Sequence, residues 1–146
     1  MQNPVMEKED SIVSSVQELG FPLIGIVLFG SRARSEERAG SDLDLLLVLE
    51  QDKVVDRSLY REWEKRSSQS MRDMKIEPQF VILPKDKEQA GGLWFEVAID
   101  GKVLWERDQT VSHFLREVRC WMAEGKIQRR VSHGHPYWLR AEGKGK

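Results

Sequence analysis

The stretch from Leu23 to Phe29 constrains the chain most, because it is a continuous apolar run closed on both sides by chain breakers. Phe21-Pro22 precedes it and Gly30-Ser31 ends it. A run this short is read as a β-strand buried on both faces. At 146 residues, with 40% hydrophobic and 32% charged residues, the chain has the material for one compact, soluble domain. No apolar run approaches the roughly 18 residues of a membrane helix. Met1 to Asp10 is acidic rather than basic and then apolar, so no secretory signal is expected. Cys120 has no partner within the sequence, which excludes an internal disulfide framework and fits a reducing compartment, so a cytoplasmic location is expected.

Helical and strand-like segments alternate around this run. Ile12, Val13, Val16 and Leu19 recur at helical spacing, with Gly20 as a C-terminal stop. Arg32 to Arg38 reads as a short polar helix, and Gly40-Ser41 turns the chain into a second strand, Asp42 to Glu50. Lys53 to Met74 is compatible with one long helix carrying a narrow stripe of Val55, Leu59 and Trp63. A third strand falls within Ile76 to Leu83 and ends at Pro84. Leu93 to Trp105 has two readings, a hairpin turning at Asp100-Gly101 or a short helix leading into a strand at Val103 to Trp105. Val111, Phe114, Leu115, Val118, Trp121 and Met122 predict a final amphipathic helix closed by Gly125. Ile127 to Leu139 is compatible with a small hairpin around Ser132-His133-Gly134. The fold class is therefore mixed α/β (α+β), a small sheet with flanking helices and a C-terminal extension. Residues 1–108 form the main domain, and residues 109–146 form a helix and basic tail of the same compact unit.

Charge is unevenly placed. Residues 126–146 hold six basic residues against Glu142, a net of +5 that leaves -6 on the rest of a chain whose total is -1. Such a tail suits nucleic acid, a nucleotide or an acidic partner, or simply a solvated terminus.

The chemistry concentrates between Leu28 and Leu49. A strand ending in Gly30-Ser31 and passing into a helix leaves backbone amides unsatisfied at the positive end of the helix dipole, an arrangement that binds phosphate. Ser31 is equally suited to capping that helix. Asp42 and Asp44 lie two apart on a strand, so they project from one face with backbones about 6.6 Å apart, while Leu43, Leu45, Leu47 and Leu49 take the other. Paired carboxylates repel unless a cation lies between them, and such hard oxygen ligands suit Mg²⁺ shared with substrate phosphates. Turn chemistry explains Asp42 but not a second acid inside an apolar strand. Neither a Gly-x4-Gly-Lys-[Ser/Thr] loop nor a Gly-x-Gly-x-x-Gly fingerprint occurs.

Gly30-Ser31, ten intervening residues and Asp42-Leu43-Asp44 resemble the signature of the minimal nucleotidyltransferases of the DNA polymerase β superfamily. The likeness is densest from Ile24 to Leu49 and extends loosely to about Asp108. It is closest to the stand-alone domains encoded beside HEPN-domain proteins, where the nucleotidyltransferase acts as antitoxin. The resemblance implies a polymerase β-like fold and AMP transfer from ATP to a protein hydroxyl, with a HEPN-type toxin as partner. It implies two Mg²⁺ ions on Asp42 and Asp44, nucleotide binding by Gly30, Ser31 and Ser41, and neutralisation of triphosphate or a partner's acids by Arg32 and Arg34. It also implies a third carboxylate as metal ligand and base. Glu77 fits that role, although Pro78 after it is unusual in a central strand and a shifted register would put the non-ionisable Gln79 there.

Two further readings stay open: a non-catalytic binding module with a vestigial nucleotide site, and an enzyme acting on a small molecule such as an aminoglycoside. Nucleic-acid contact through residues 126–146 is less favoured, and self-association is open. His133 and His135 read as turn residues, and Trp63, Trp94, Trp105 and Trp121 as core or interface. Tyr137 and Trp138, beside Arg129 and Arg130, suit either packing against the domain or anchoring a partner.

Overall fold

In the computed structural model, which describes residues 4–30 and 42–140, the apolar run forms strand β1 (Leu23–Phe29), preceded by helix α1 (Pro4–Gln17). Strand β2 (Leu43–Leu49) runs antiparallel beside it. Strand β3 (Ile76–Ile82) joins the outer side of β2 in parallel, and β4 (Lys102–Glu106) joins β1 antiparallel, giving the order β3-β2-β1-β4. Because β3 is an edge strand, the donor that Pro78 lacks is not needed by a further neighbour. The short helix expected over Arg32 to Arg38 lies outside the described residues.

The sheet is buried on both faces, which is why its two central strands are so apolar. On one face Leu43, Leu45, Leu47 and Leu49 pack with Ile12 and Val16 of α1 and with Trp63, Met71 and Phe80. On the other, Leu46 and Val48 pack under two helices, α4 (Gly92–Asp100) and α5 (Thr110–Ala123). Asp44 shares this second face with Leu46 and Val48, so it is the one charged position in an otherwise apolar row of β2.

The crossover from β2 to β3 is not one long helix. It comprises α2 (Arg57–Arg66) and a short α3 (Gln69–Asp73), and Val55 is exposed in the loop before them. Two serines cause the break. Ser67 Oγ donates to the Trp63 carbonyl, and Ser68 Oγ accepts from Met71 N–H at 3.2 Å as the cap of the next helix. Asp56 likewise caps α2 by accepting from Ser58 N–H at 2.9 Å, which starts the helix later than its charged composition suggests.

Of the two readings for Leu93 to Trp105, the helix followed by a strand is the one formed. Helix α4 buries Trp94, Phe95, Val97 and Ala98, which at spacings of three and four share one helical face. Beyond α5, strands β5 (Ile127–Ser132) and β6 (His135–Arg140) make the C-terminal hairpin around His133 and Gly134, both at positive φ, the signature of a two-residue primed turn. Trp138 packs against Phe95 with the rings tilted and 5.2 Å between centroids, and its indole N–H donates to Glu96, which also pairs with Arg129. Tyr137 lies on the outward face and is exposed.

The turn from α4 to β4 is closed tightly at Gly101, whose N–H donates to the Val97 carbonyl at 2.6 Å. A β-carbon there would collide with that carbonyl and approach Val27. Gly101→Ala is expected to lower unfolding free energy by about 1–3 kcal/mol, the usual cost of overpacking. Urea titration checks it, and an unchanged midpoint contradicts the close approach.

Candidate active site

Gly30 ends β1 with φ +79, a left-handed conformation that glycine adopts without strain. Its bare Cα faces Asp44, and a β-carbon would lie 2.5 Å from Asp44 Oδ2. The register explains this contact, since Phe29 pairs with Asp44 across the β1–β2 ladder. The glycine corner and the second acid therefore meet. Asp42, exposed, precedes the strand, close enough for its charge to act on Asp44.

Half burial holds the Asp44 carboxyl above its ordinary pKa, and the nearby Asp42 charge pushes it further in that direction. Among the described residues no Lys, Arg or His forms an ion pair with either aspartate.

Glu77 is placed by register as well. In the parallel β2–β3 ladder Asp44 pairs with Glu77, while Gln79 pairs with Leu46 farther along. Glu77 is exposed on an edge strand. The chain enters β3 through Lys75, a non-glycine residue at φ +56, whose carbonyl accepts from Leu43 N–H at 2.9 Å and so ties the two strand starts together. Asp42 and Glu77 then share the lip of a cavity of about 300 Å³ floored by Trp63, Met71 and Ile76.

The donor set fits Mg²⁺ in a particular way. Among the described residues no three Asp, Glu, His or Cys side chains form a preassembled metal-binding group. Asp42 and Asp44 supply two hard oxygen donors, and Mg²⁺ commonly takes one or two carboxylates with the rest from water and phosphate. Ser31, Arg32, Arg34 and Ser41, expected to bind nucleotide, lie outside the described residues.

The cavity was not visible in the sequence. Trp63, Met71 and Arg72 come from two helices and Ser67 from the Ser67-Ser68 break between them, and only that break turns them toward the start of β3. That serine pair was the available signal.

A model of the polymerase β nucleotidyltransferase family matches residues 12–110. The chain belongs to that family. Among proteins of curated function none matches it significantly. Solved structures share the fold of this nucleotidyltransferase. A toxin–antitoxin structure with AMP-PNP superposes with a TM-score of 0.56 at 20% identity, covering 81% of this chain and 89% of the other. A toxin–antitoxin MntA–HepT complex in which two aspartates two residues apart are replaced by glutamate gives 0.54 at 18% identity, covering 81% and 88%. A complex of the tri-AMPylated HEPN toxin of Shewanella oneidensis with MNT antitoxin gives 0.51 at 21% identity, covering 81% and 86%. Among the described residues of this nucleotidyltransferase no helix is long and apolar enough to cross a membrane.

Two outcomes test the geometry. An acid whose folded-state pKa is raised stabilises the fold only below its unfolded pKa, and loses that stability as pH rises through the folded one. In metal-free protein near neutral pH, Asp44→Asn is therefore expected to raise the unfolding temperature, with the gap closing on acidification. Calorimetric melts check it, and a lowered melting temperature contradicts the electrostatic account. Gly30→Ala is expected to displace the Asp44 carboxylate, and to weaken Mg²⁺-dependent ATP binding by at least about tenfold on the scale of a lost charge-assisted contact. Unaltered binding by equilibrium dialysis would place the nucleotide elsewhere.

Proposed function

We propose that this nucleotidyltransferase transfers AMP from ATP to a protein hydroxyl with Mg²⁺, acting as antitoxin toward a HEPN-domain toxin. The observation that carries the reading is the contact of Asp44 with Gly30, with Asp42 alongside, because it brings a metal-seeking acid pair and a phosphate-approachable backbone corner to one point. Support for the partner comes from the neighbours, which are toxin–antitoxin complexes, one with AMP-PNP and one containing an AMPylated HEPN toxin.

Asp42 and Asp44 would hold Mg²⁺, which would supply positive charge to the triphosphate. The chain's own work is positioning. Gly30 leaves room for the Asp44 carboxylate against the backbone, with Ser31 and Ser41 as nucleotide donors and Arg32 and Arg34 as counter-charges. Glu77, beside Asp44 in register, receives the proton of the acceptor hydroxyl as it attacks the α-phosphorus. Most of the acceleration then comes from alignment and fixed charge.

The open position of Glu77, on an edge strand and, among the described residues, outside any three-ligand cluster, favours one rival: a module that silences its partner by contact alone. Incubation with α-labelled ATP, Mg²⁺ and the HEPN protein encoded nearest to it separates the two. The wild type is expected to label the partner and Asp42→Asn/Asp44→Asn to lose at least about 100-fold of that rate, as removal of an electrostatic element of a site does. A double variant that labels at the wild-type rate contradicts the mechanism. One that loses labelling yet still protects cells supports the contact-only module.

A further inference from the structure

The cavity beside the acid pair has a position that assigns it a role. Strand β2 has β1 on one side and β3 on the other. Gly30 meets Asp44 from the β1 side and on the second face of the sheet, whereas the cavity lies on the β3 side with its floor on the first face, and Asp42 and Glu77 at the strand starts line it. Attacking and leaving oxygens in phosphoryl transfer lie roughly in line on opposite sides of phosphorus. If the pyrophosphate end lies at the glycine corner, the attacking hydroxyl comes from the β3 side. At about 300 Å³ the cavity is at the bottom of the size range of ligand pockets, room for a side chain rather than a whole nucleoside triphosphate.

Its lining is divided chemically. Trp63, Met71 and Ile76 are buried and form an apolar floor. Arg72 stands on the exposed rim, and Lys75 also lines the cavity there. Its guanidinium donates to the Glu64 carbonyl at 3.2 Å, a neutral acceptor, and no carboxylate among the described residues pairs with it. The acceptor therefore meets an apolar slot, a base at the lip and a positive charge at the rim.

We infer that this cavity is the acceptor subsite, taking a hydroxyl side chain from a protein segment in which an acidic residue flanks the modified position and pairs with Arg72. The inference rests on the proposed AMP transfer. In that step the acceptor oxygen forms a bond to the α-phosphorus of ATP, the bond from that phosphorus to the bridging oxygen breaks, pyrophosphate leaves, and the hydroxyl proton passes to Glu77. Arg72 touches none of the reacting atoms. It selects and holds the acceptor, a positioning role.

Two peptide sets serve as probes: serine, threonine or tyrosine set among glutamates, and the same three set among lysines. The -6 of residues 1–125 and the +5 of residues 126–146 nearly cancel in long-range attraction, so a glutamate preference is assigned to the rim by its response to substitution of Arg72. With α-labelled ATP and Mg²⁺, the wild-type chain is expected to label the glutamate set about fivefold faster, the effect of one partly exposed ion pair. Arg72→Glu should reverse the preference, Arg72→Lys should keep it, and neither should change the KM for ATP. Equal labelling of the two sets, or a preference unchanged in Arg72→Glu, overturns the subsite. No labelling by a chain that takes up Mg²⁺-ATP overturns the subsite alone, whereas failure to take up Mg²⁺-ATP overturns the AMP-transfer reading beneath it.

Discussion

An acid standing where an apolar residue would be more stable governs this molecule. Asp44 interrupts the row of β2 that Leu46 and Val48 continue into the core, and it presses its carboxylate against the bare backbone of Gly30. Burial and the Asp42 charge both work against its ionisation. The fold tolerates this because both faces of the sheet are otherwise packed, with Leu45, Leu46, Leu47, Val48 and Leu49 all inaccessible to solvent. A local electrostatic cost is carried by a large apolar surplus, which is how strained functional positions persist.

The same arrangement explains the division of labour in the chain. β1 and β2, locked in the middle, set the distance from the glycine corner to the acids. β3 is held at the edge by seven residue pairs to β2 and brings Glu77 level with Asp44. α4, α5 and the C-terminal hairpin cover the second face, with Trp138 and Arg129 converging on Glu96 to hold the hairpin down. The hairpin lies beyond the residues that match the family, and its contacts with Phe95 and Glu96 show that at least one of its faces supports the fold.

Much of this was legible in the residues because the decisive patterns are local. Pro22 and Gly30 bracket β1, and the expected and observed bounds of that strand coincide. The polymerase β likeness came from spacing alone, since two strands joined by a short connection bring Gly30 and Asp44 together whatever the connection does. Non-local features escaped. The register that sets Glu77 rather than Gln79 beside Asp44 depends on how the β2–β3 crossover closes, and nothing in Ile76 to Ile82 encodes it. Pro78 looked misplaced only until β3 proved to be an edge. The charged stretch from Lys53 to Met74 has helical composition throughout, but Ser67 and Ser68 bond to nearby backbone and split it, creating the cavity beside Asp42.

The central claim is that the glycine corner and the aspartate pair hold one magnesium-bound triphosphate. Isothermal titration with the non-hydrolysable analogue AMP-PNP, with Mg²⁺ and with EDTA in its place, tests it most directly. The account predicts saturable one-to-one binding by the wild type that requires Mg²⁺ and disappears when both aspartates are replaced by asparagine. Binding that is equally tight in EDTA, or that survives in the double variant, would contradict it.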